Sequence, residues 1–189
     1  FRRVLFRSLV EAGEAPDIVV NNAGLGYMAA FEDTDSAMWK HTFDVNFFGL
    51  VTGCRLFLPV MRKSGKPALL VNVASAASYA PLPNMSAYAA SKFAVEGLCD
   101  VLSNELHGTS VGVISVHPGV IDTPIVHNPA MRRNIPPEQV EQRQNYYRNK
   151  GVHPSVVADA VVGAVKSGQI VVRPGPEAGL GAFMRRLLP

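Results

Sequence analysis

The 189-residue sequence has little from which to build a disulfide framework or a metal centre. Its two cysteines, Cys54 and Cys99, stand far apart with no companion at metal-ligand spacing. They read as buried, inert thiols, and their scarcity fits a reducing, cytoplasmic setting. His41, His107, His117, His127 and His153 show no recurring ligand spacing, so no metal site is expected. The longest apolar stretch, Phe47 to Met61, is broken by Arg55 and Pro59 and falls short of the roughly 20 residues of a membrane span. No secretory leader is visible. Charged residues make up only 17% of the chain, and the formal charge of +3 comes from scattered basic residues. Arg132-Arg133 is the one Arg-Arg doublet in mid-chain, so a nucleic-acid partner is not expected. Internal repeats and low-complexity tracts are also lacking.

What is present is an apolar content of 48%, enough for one domain with a substantial core. Short β-branched runs alternate with helical patterns. Strands are expected at Asp17 to Val20, Ala68 to Val73, Val111 to Val116 and Gln169 to Val172. Helices are expected within Asp35 to Lys63 and over Ser86 to Leu106 and Pro154 to Lys166, with an irregular or helical insertion from Asp122 to Gly151. Strands joined by helical crossovers predict an α/β fold, a doubly wound parallel sheet with helices on both faces. Ile18-Val19-Val20 and Leu69-Leu70-Val71 do not alternate, as expected of central strands covered on both sides. Arg173 to Gly181 reads as a tail leaving the last strand, and 174–189 is assigned as a C-terminal tail. Residues 1–8 resemble the translation of a widely used sequencing adapter and are set apart from the domain, 9–173.

Several positions have chemical uses. Tyr88-Ala89-Ala90-Ser91-Lys92 opens a helix and places a phenol and an ammonium on one face. A cation beside a phenol of pKa about 10 would lower that value and let Tyr88 give and take a proton, although such a pair is also an ordinary helix surface. Ser75 directly follows a strand, at the carboxyl end where open α/β sheets place their ligands, and reads either as a holder of a substrate oxygen or as a cap. Asn21-Asn22-Ala23-Gly24 suits a sharp turn close to a ligand or a plain turn. Asn46 is a polar residue in an apolar helix and needs a partner if buried. Pro118-Gly119-Val120-Ile121-Asp122-Thr123 follows the third strand, as a cofactor loop or a turn. Met38, Trp39 and Phe43 read as core or interface contacts.

Together, in order and at these separations, the motifs resemble the compact short-chain dehydrogenase/reductase family. The resemblance runs from Leu9 to about Arg173 and implies a Rossmann-like fold and an NAD(P)-dependent oxidoreductase that interconverts an alcohol and a carbonyl. It implies that Tyr88 transfers the proton, that Ser75 orients the substrate oxygen, and that Lys92 holds the nicotinamide ribose while depressing the Tyr88 pKa. Asn46 would anchor a water relay behind Lys92. Asn21, Ala23 and Gly24 would line the cofactor, with Pro118, Gly119, Ile121 and Thr123 at its nicotinamide end. Ala74 stands where many members carry a second serine.

The family's opening strand and Thr-Gly-x-x-x-Gly-x-Gly turn, which receive the pyrophosphate, are missing. The resemblance therefore equates the four expected strands with family strands four to seven and implies an inactive fragment lacking the first three. The choice of NAD or NADP is unreadable, because its determinant follows the family's second strand. Asp122 to Gly151 would cover the substrate, and Ile125, Val126, Met131 and Ile135 beside Arg132, Arg133, Tyr146 and Tyr147 suggest a bulky, apolar alcohol or ketone. Val95, Leu98 and Leu102 on the catalytic helix imply a parent homodimer or homotetramer. A non-catalytic binding or interaction module of the same fold is the competing reading.

Overall fold

The structure is a computed structural model, and it describes residues 14–126, 128, 132–175, 177–179 and 183. The adapter-like residues 1–8, as well as His127 and Met131, lie outside the described residues. Four parallel strands form one sheet in chain order: β1 (Ile18–Asn21), β2 (Ala68–Val73), β3 (Val111–Val116) and β4 (Val171–Val172). Helix α1 (Ser36–Phe43) runs through a π turn (Asp44–Phe48) into α2 (Gly49–Ser64). Helix α3 (Ser86–Glu105) connects β2 to β3, and α4 (Pro137–Lys150) and α5 (Ser155–Ser167) lie between β3 and β4. The insertion is thus helical in its second half.

The alternation of side chains along β2 and β3 feeds two cores. Leu70 and Val113 meet Leu50, Cys54 and Met61 of α2 and Val95, Cys99 and Leu102 of α3 on one face. Val71, Ile114, Val116 and Val172 meet Ala160, Val161, Ala164 and Val165 of α5 on the other. Helices therefore cover β2 and β3 on both sides, as their unbroken apolar runs predict.

β1 departs from the composition reading, and it matches the apolar edge that a chain lacking the family's first three strands is expected to leave uncovered. It pairs only with β2, and although Val19 packs into the first core, Ile18 and Val20 are 44% and 55% exposed. The cause is its edge position: α5 packs over β2, β3 and β4, and no described element continues that layer across β1. Among the described residues, one side of β1 accordingly has no strand partner and carries apolar side chains.

The helix Ser36–Ser64 also differs from the sequence reading. It spans 29 residues with a window of mean hydropathy 1.3, long and apolar enough to cross a membrane by those measures alone. The run Phe47 to Met61 understated it, because the helix continues through the π turn. Its inward side packs on the sheet through Leu50, Cys54 and Met61. Asp35 caps its start by accepting from the Met38 amide at 2.8 Å. Trp39 lies between Phe31 and Phe43, with ring centroids 6.1 and 6.3 Å away, and Phe43 continues the row to Phe47 at the edge of the first core, with Trp39 and Phe43 half-buried.

The supposed tail is partly docked. Pro174 accepts from the Gly119 amide at 2.9 Å, and the Ala178 carbonyl accepts from the Tyr79 hydroxyl at 2.6 Å.

Candidate active site

The carboxyl ends of β1, β2 and β3 gather the residues singled out in the sequence. The turn after β1 is held by Asn46. This buried amide accepts from the Leu25 amide at 2.8 Å, donates to the Leu25 carbonyl at 3.0 Å, and donates to Ser91 Oγ at 3.0 Å. Ser91 in turn donates to the Tyr88 carbonyl at 2.7 Å. The π turn carries Asn46, and such inserted turns are frequent at functional sites because they re-aim one side chain. A Cβ placed on Gly24 would come within 3.5 Å of Lys92 Nζ and 3.4 Å of Asn46 Oδ1. The glycine therefore lets the turn approach both groups, while Asn22, Ala23 and Gly24 stay exposed.

Asn21 points elsewhere. Its amide donates inward to Asn72 Oδ1 at 2.8 Å, and a Cβ on Gly53 would collide with it. Asn72, buried in β2, also donates to Cys99 Sγ at 3.5 Å, and Cys54 Sγ lies 3.7 Å from its oxygen. Both cysteines are free and buried, and burial pushes the Cys54 thiol up to about 11. These thiols are inert, as expected.

Ser75 ends β2 and caps the short turn Ala76–Ser78, accepting from the Ala77 amide at 3.1 Å. The capping reading is thus met, and the hydroxyl also lies close enough to the Tyr88 phenol to act on its pKa. Lys92 Nζ donates to the Val73 carbonyl at 2.9 Å and lies 5.9 Å from the centre of the Tyr88 ring.

The charge balance differs from the expectation. Tyr88 is pushed up to about 12, first by burial, and the Ser75 hydrogen bond and nearby Tyr147 act as lesser influences. Burial alone lowers Lys92 to about 8. The ammonium does not depress the phenol here, because the same dry pocket disfavours both charged forms and Nζ is turned to a carbonyl. Tyr88 is consequently a protonated phenol at neutral pH.

The loop after β3 lies partly beneath the returning chain. Pro118 accepts from the Ala76 amide at 2.9 Å. Gly119 is packed against Ala178 and Gly175, and Ile121 is buried, so these two are placed inward rather than at an open rim. Thr123 is half-buried.

His117 was passed over in the sequence for want of a ligand spacing. It is buried beside Ser75 in a directed chain. Ser78 spends its one hydroxyl hydrogen on the Ser75 carbonyl at 2.6 Å, so it must accept from His117 Nδ1 at 3.0 Å, which leaves Nε2 to accept from Ser115 at 2.8 Å. Burial pushes His117 down to about 4. The unfolded chain takes up a proton below about 6.5 while the folded chain resists it, so stability is present above that pH and is lost as pH falls toward about 4. That loss amounts to about 3 kcal/mol. Urea titrations at pH 7 and pH 4.5 should show a smaller difference for His117→Gln than for the parent chain; an equal difference would remove His117 as the cause.

The insertion supplies a wall. Arg133 is taken up by Asp35 at 2.9 Å on the surface, whereas Arg143 and Tyr147 of α4 turn toward the catalytic helix. Arg143, Glu177, Asn72 and His117 escaped the sequence reading. For Asn72 the signal was visible: a lone amide in an apolar strand.

Comparison with known proteins agrees with this geometry. The short chain dehydrogenase family model matches residues 4–133. The chain is 38% identical over 179 residues to "Probable oxidoreductase EphD" of Mycobacterium tuberculosis, covering 92% of this chain and 30% of that protein. It therefore spans less than a third of that relative's length. A short-chain dehydrogenase from Burkholderia phymatum solved with NAD superposes with a TM-score of 0.83 at 26% identity, over 97% of this chain and 71% of that one. One from Burkholderia cenocepacia solved with NADP gives 0.76 at 29%, over 97% and 73%. With its parallel sheet and this rim of side chains, the chain belongs to the short-chain dehydrogenase/reductase family of oxidoreductases.

Proposed function

We propose that this chain carries the proton-transfer and substrate-orienting part of an NAD(P)-dependent enzyme that interconverts an alcohol and a carbonyl. The carrying observation is the meeting of Ser75, Tyr88 and Lys92 at the end of β2, where Lys92 Nζ donates to the Val73 carbonyl and lies 5.9 Å from the centre of the Tyr88 ring, and Ser75 acts on the phenol. In the reductive direction Tyr88 Oη gives its proton to the carbonyl oxygen, and Ser75 Oγ holds that oxygen in place. A raised phenol pKa suits the acid role, since the proton is present throughout the neutral range. Oxidation of the alcohol requires the reverse transfer and gains from high pH.

A nicotinamide group would sit beside Lys92 Nζ at the exposed turn Asn22-Ala23-Gly24, where the Gly24 backbone comes within one Cβ contact of both Lys92 and Asn46. Lys92, Ala23 and Gly24 would hold its ribose end, with Pro118 and Thr123 flanking it; when bound, the group supplies or accepts the hydride. Asn21 acts from behind by fixing the turn through Asn72. Asn46 fixes the same turn through Leu25 and couples it to the catalytic helix through Ser91.

The pyrophosphate half of the site and the family's first three strands belong, in this reading, to a longer whole protein. The bare edge of β1, with Ile18 and Val20 exposed, supports it. The apolar groove between α2 and α3, lined by Val51, Leu58, Leu98 and Leu102, supports a homodimeric or homotetrameric parent. A non-catalytic module would have no use for the half-buried Tyr88 and Ser75 beside the buried Lys92.

The test compares this chain with its full-length form. Full-length protein should oxidise NADH or NADPH in the presence of carbonyl compounds, and calorimetry should find cofactor binding to the 189-residue chain at least a hundredfold weaker. Equal binding by both would refute the divided site.

A further inference from the structure

We propose that Arg143 receives an anionic group of the substrate, so that the alcohol or ketone turned over at Tyr88 carries a carboxylate. This rests on the oxidoreductase reading above and goes beyond it to the substrate class.

Arg143 and Tyr147 are four residues apart on α4 and share one face. That face looks onto the catalytic helix. Arg143 Nη1 donates to Met85 Sδ at 3.0 Å, and Met85 precedes Tyr88 by three residues at the start of α3. Tyr147 is near enough to Tyr88 to raise its pKa, and near enough to Arg143 for the guanidinium to lower its own. The order along this wall is therefore Tyr88, Tyr147, Arg143.

Among the described residues the guanidinium has no charge partner. It is half-buried, yet the ion pairs among the described residues are Lys40 with Asp44 and Arg133 with Asp35. Its side-chain acceptor is a thioether, the weakest acceptor among the side chains, and burying a cation without an anion is costly. The acid of the same wall is engaged elsewhere: Glu177 Oε1 accepts from the Tyr146 hydroxyl at 2.9 Å, and Oε2 is buried without a partner among the described residues. Glu177 acts on Tyr147 but not on Arg143. A planar fork of donors beside the reacting position fits a carboxylate, which it can grip by two parallel hydrogen bonds. The inferred substrate thus carries a carboxylate in addition to the apolar bulk expected from the sequence.

The test uses the full-length enzyme with acetoacetate and methyl acetoacetate, and with 4-oxocyclohexanecarboxylate and its methyl ester. The wild type should favour each acid. Arg143→Met should lower the acid-to-ester ratio of kcat/KM roughly tenfold to a hundredfold, the loss of a charge-assisted pair. Arg143→Lys should recover part of it. Benzoate, titrated by calorimetry without turnover, should bind the wild type and not Arg143→Met. Equal losses for acid and ester would make Arg143 structural and overturn the inference. A raised KM for NADH or NADPH alone would assign the anion to the cofactor phosphates and also overturn it. Reduction of esters with no preference for acids defeats this inference alone; failure to reduce any carbonyl defeats the oxidoreductase reading as well.

Discussion

Tyr88→Phe should lower kcat/KM for carbonyl reduction by the full-length enzyme about a thousandfold, while the thermal unfolding midpoint moves little. The ring keeps its place beside Lys92, and only the phenolic hydroxyl with its proton is lost. General acid catalysis contributes roughly 10² to 10⁴ in rate, and this is the one protonated group placed to supply it at the Ser75 oxygen. The pH profile should carry the same signature. Tyr88 stays protonated up to about 12, so the fall in reduction on raising pH should begin near 8, where Lys92 loses its charge. Stopped-flow absorbance of NADH or NADPH between pH 6 and 10 measures both effects. Turnover by Tyr88→Phe at the parental rate would remove the phenol from the mechanism.

Asn46→Ala should produce the largest loss of stability, about 3 kcal/mol. It strands the Leu25 amide and carbonyl, and unsatisfied polar groups out of water cost about 1 to 3 kcal/mol each. In a domain of this size that is roughly a 10 °C fall in midpoint. Hydrogen exchange should locate the damage, with the Leu25 amide losing protection before the sheet does. An unchanged exchange rate at Leu25 would show that the turn does not depend on this clasp.

The fold was readable from the sequence where burial was symmetric. β2 and β3 are sandwiched between helices, and their bounds coincide with their apolar runs. The same logic failed at β1, because composition records what a strand is made of and not how many neighbours it has. Ser75, Tyr88 and Lys92 were legible because their spacing is local to one strand end and one helix. Arg143 was not, since its relation to Tyr88 runs through the packing of α4 on α3 and leaves no spacing rule. The Tyr88 pKa was misjudged for a related reason: a sequence shows the cation four residues away but not the loss of water around both groups.

The π turn has a consequence for how the long helix works as a part. Its Gly49 amide reaches back to Asp44, five residues rather than four. One surplus residue rotates everything after it by about 100° relative to an unbroken α-helix. The rod is therefore two helices set out of phase on a common axis. The first half carries the half-buried stripe of Trp39 and Phe43, and the second turns Leu50, Cys54 and Met61 onto the sheet. At the splice, Asn46 belongs to neither stripe and points at the turn after β1. Removing a single residue there would put the halves back in phase and swing one stripe away from its partner, so in this helix the residue count acts as an angular setting.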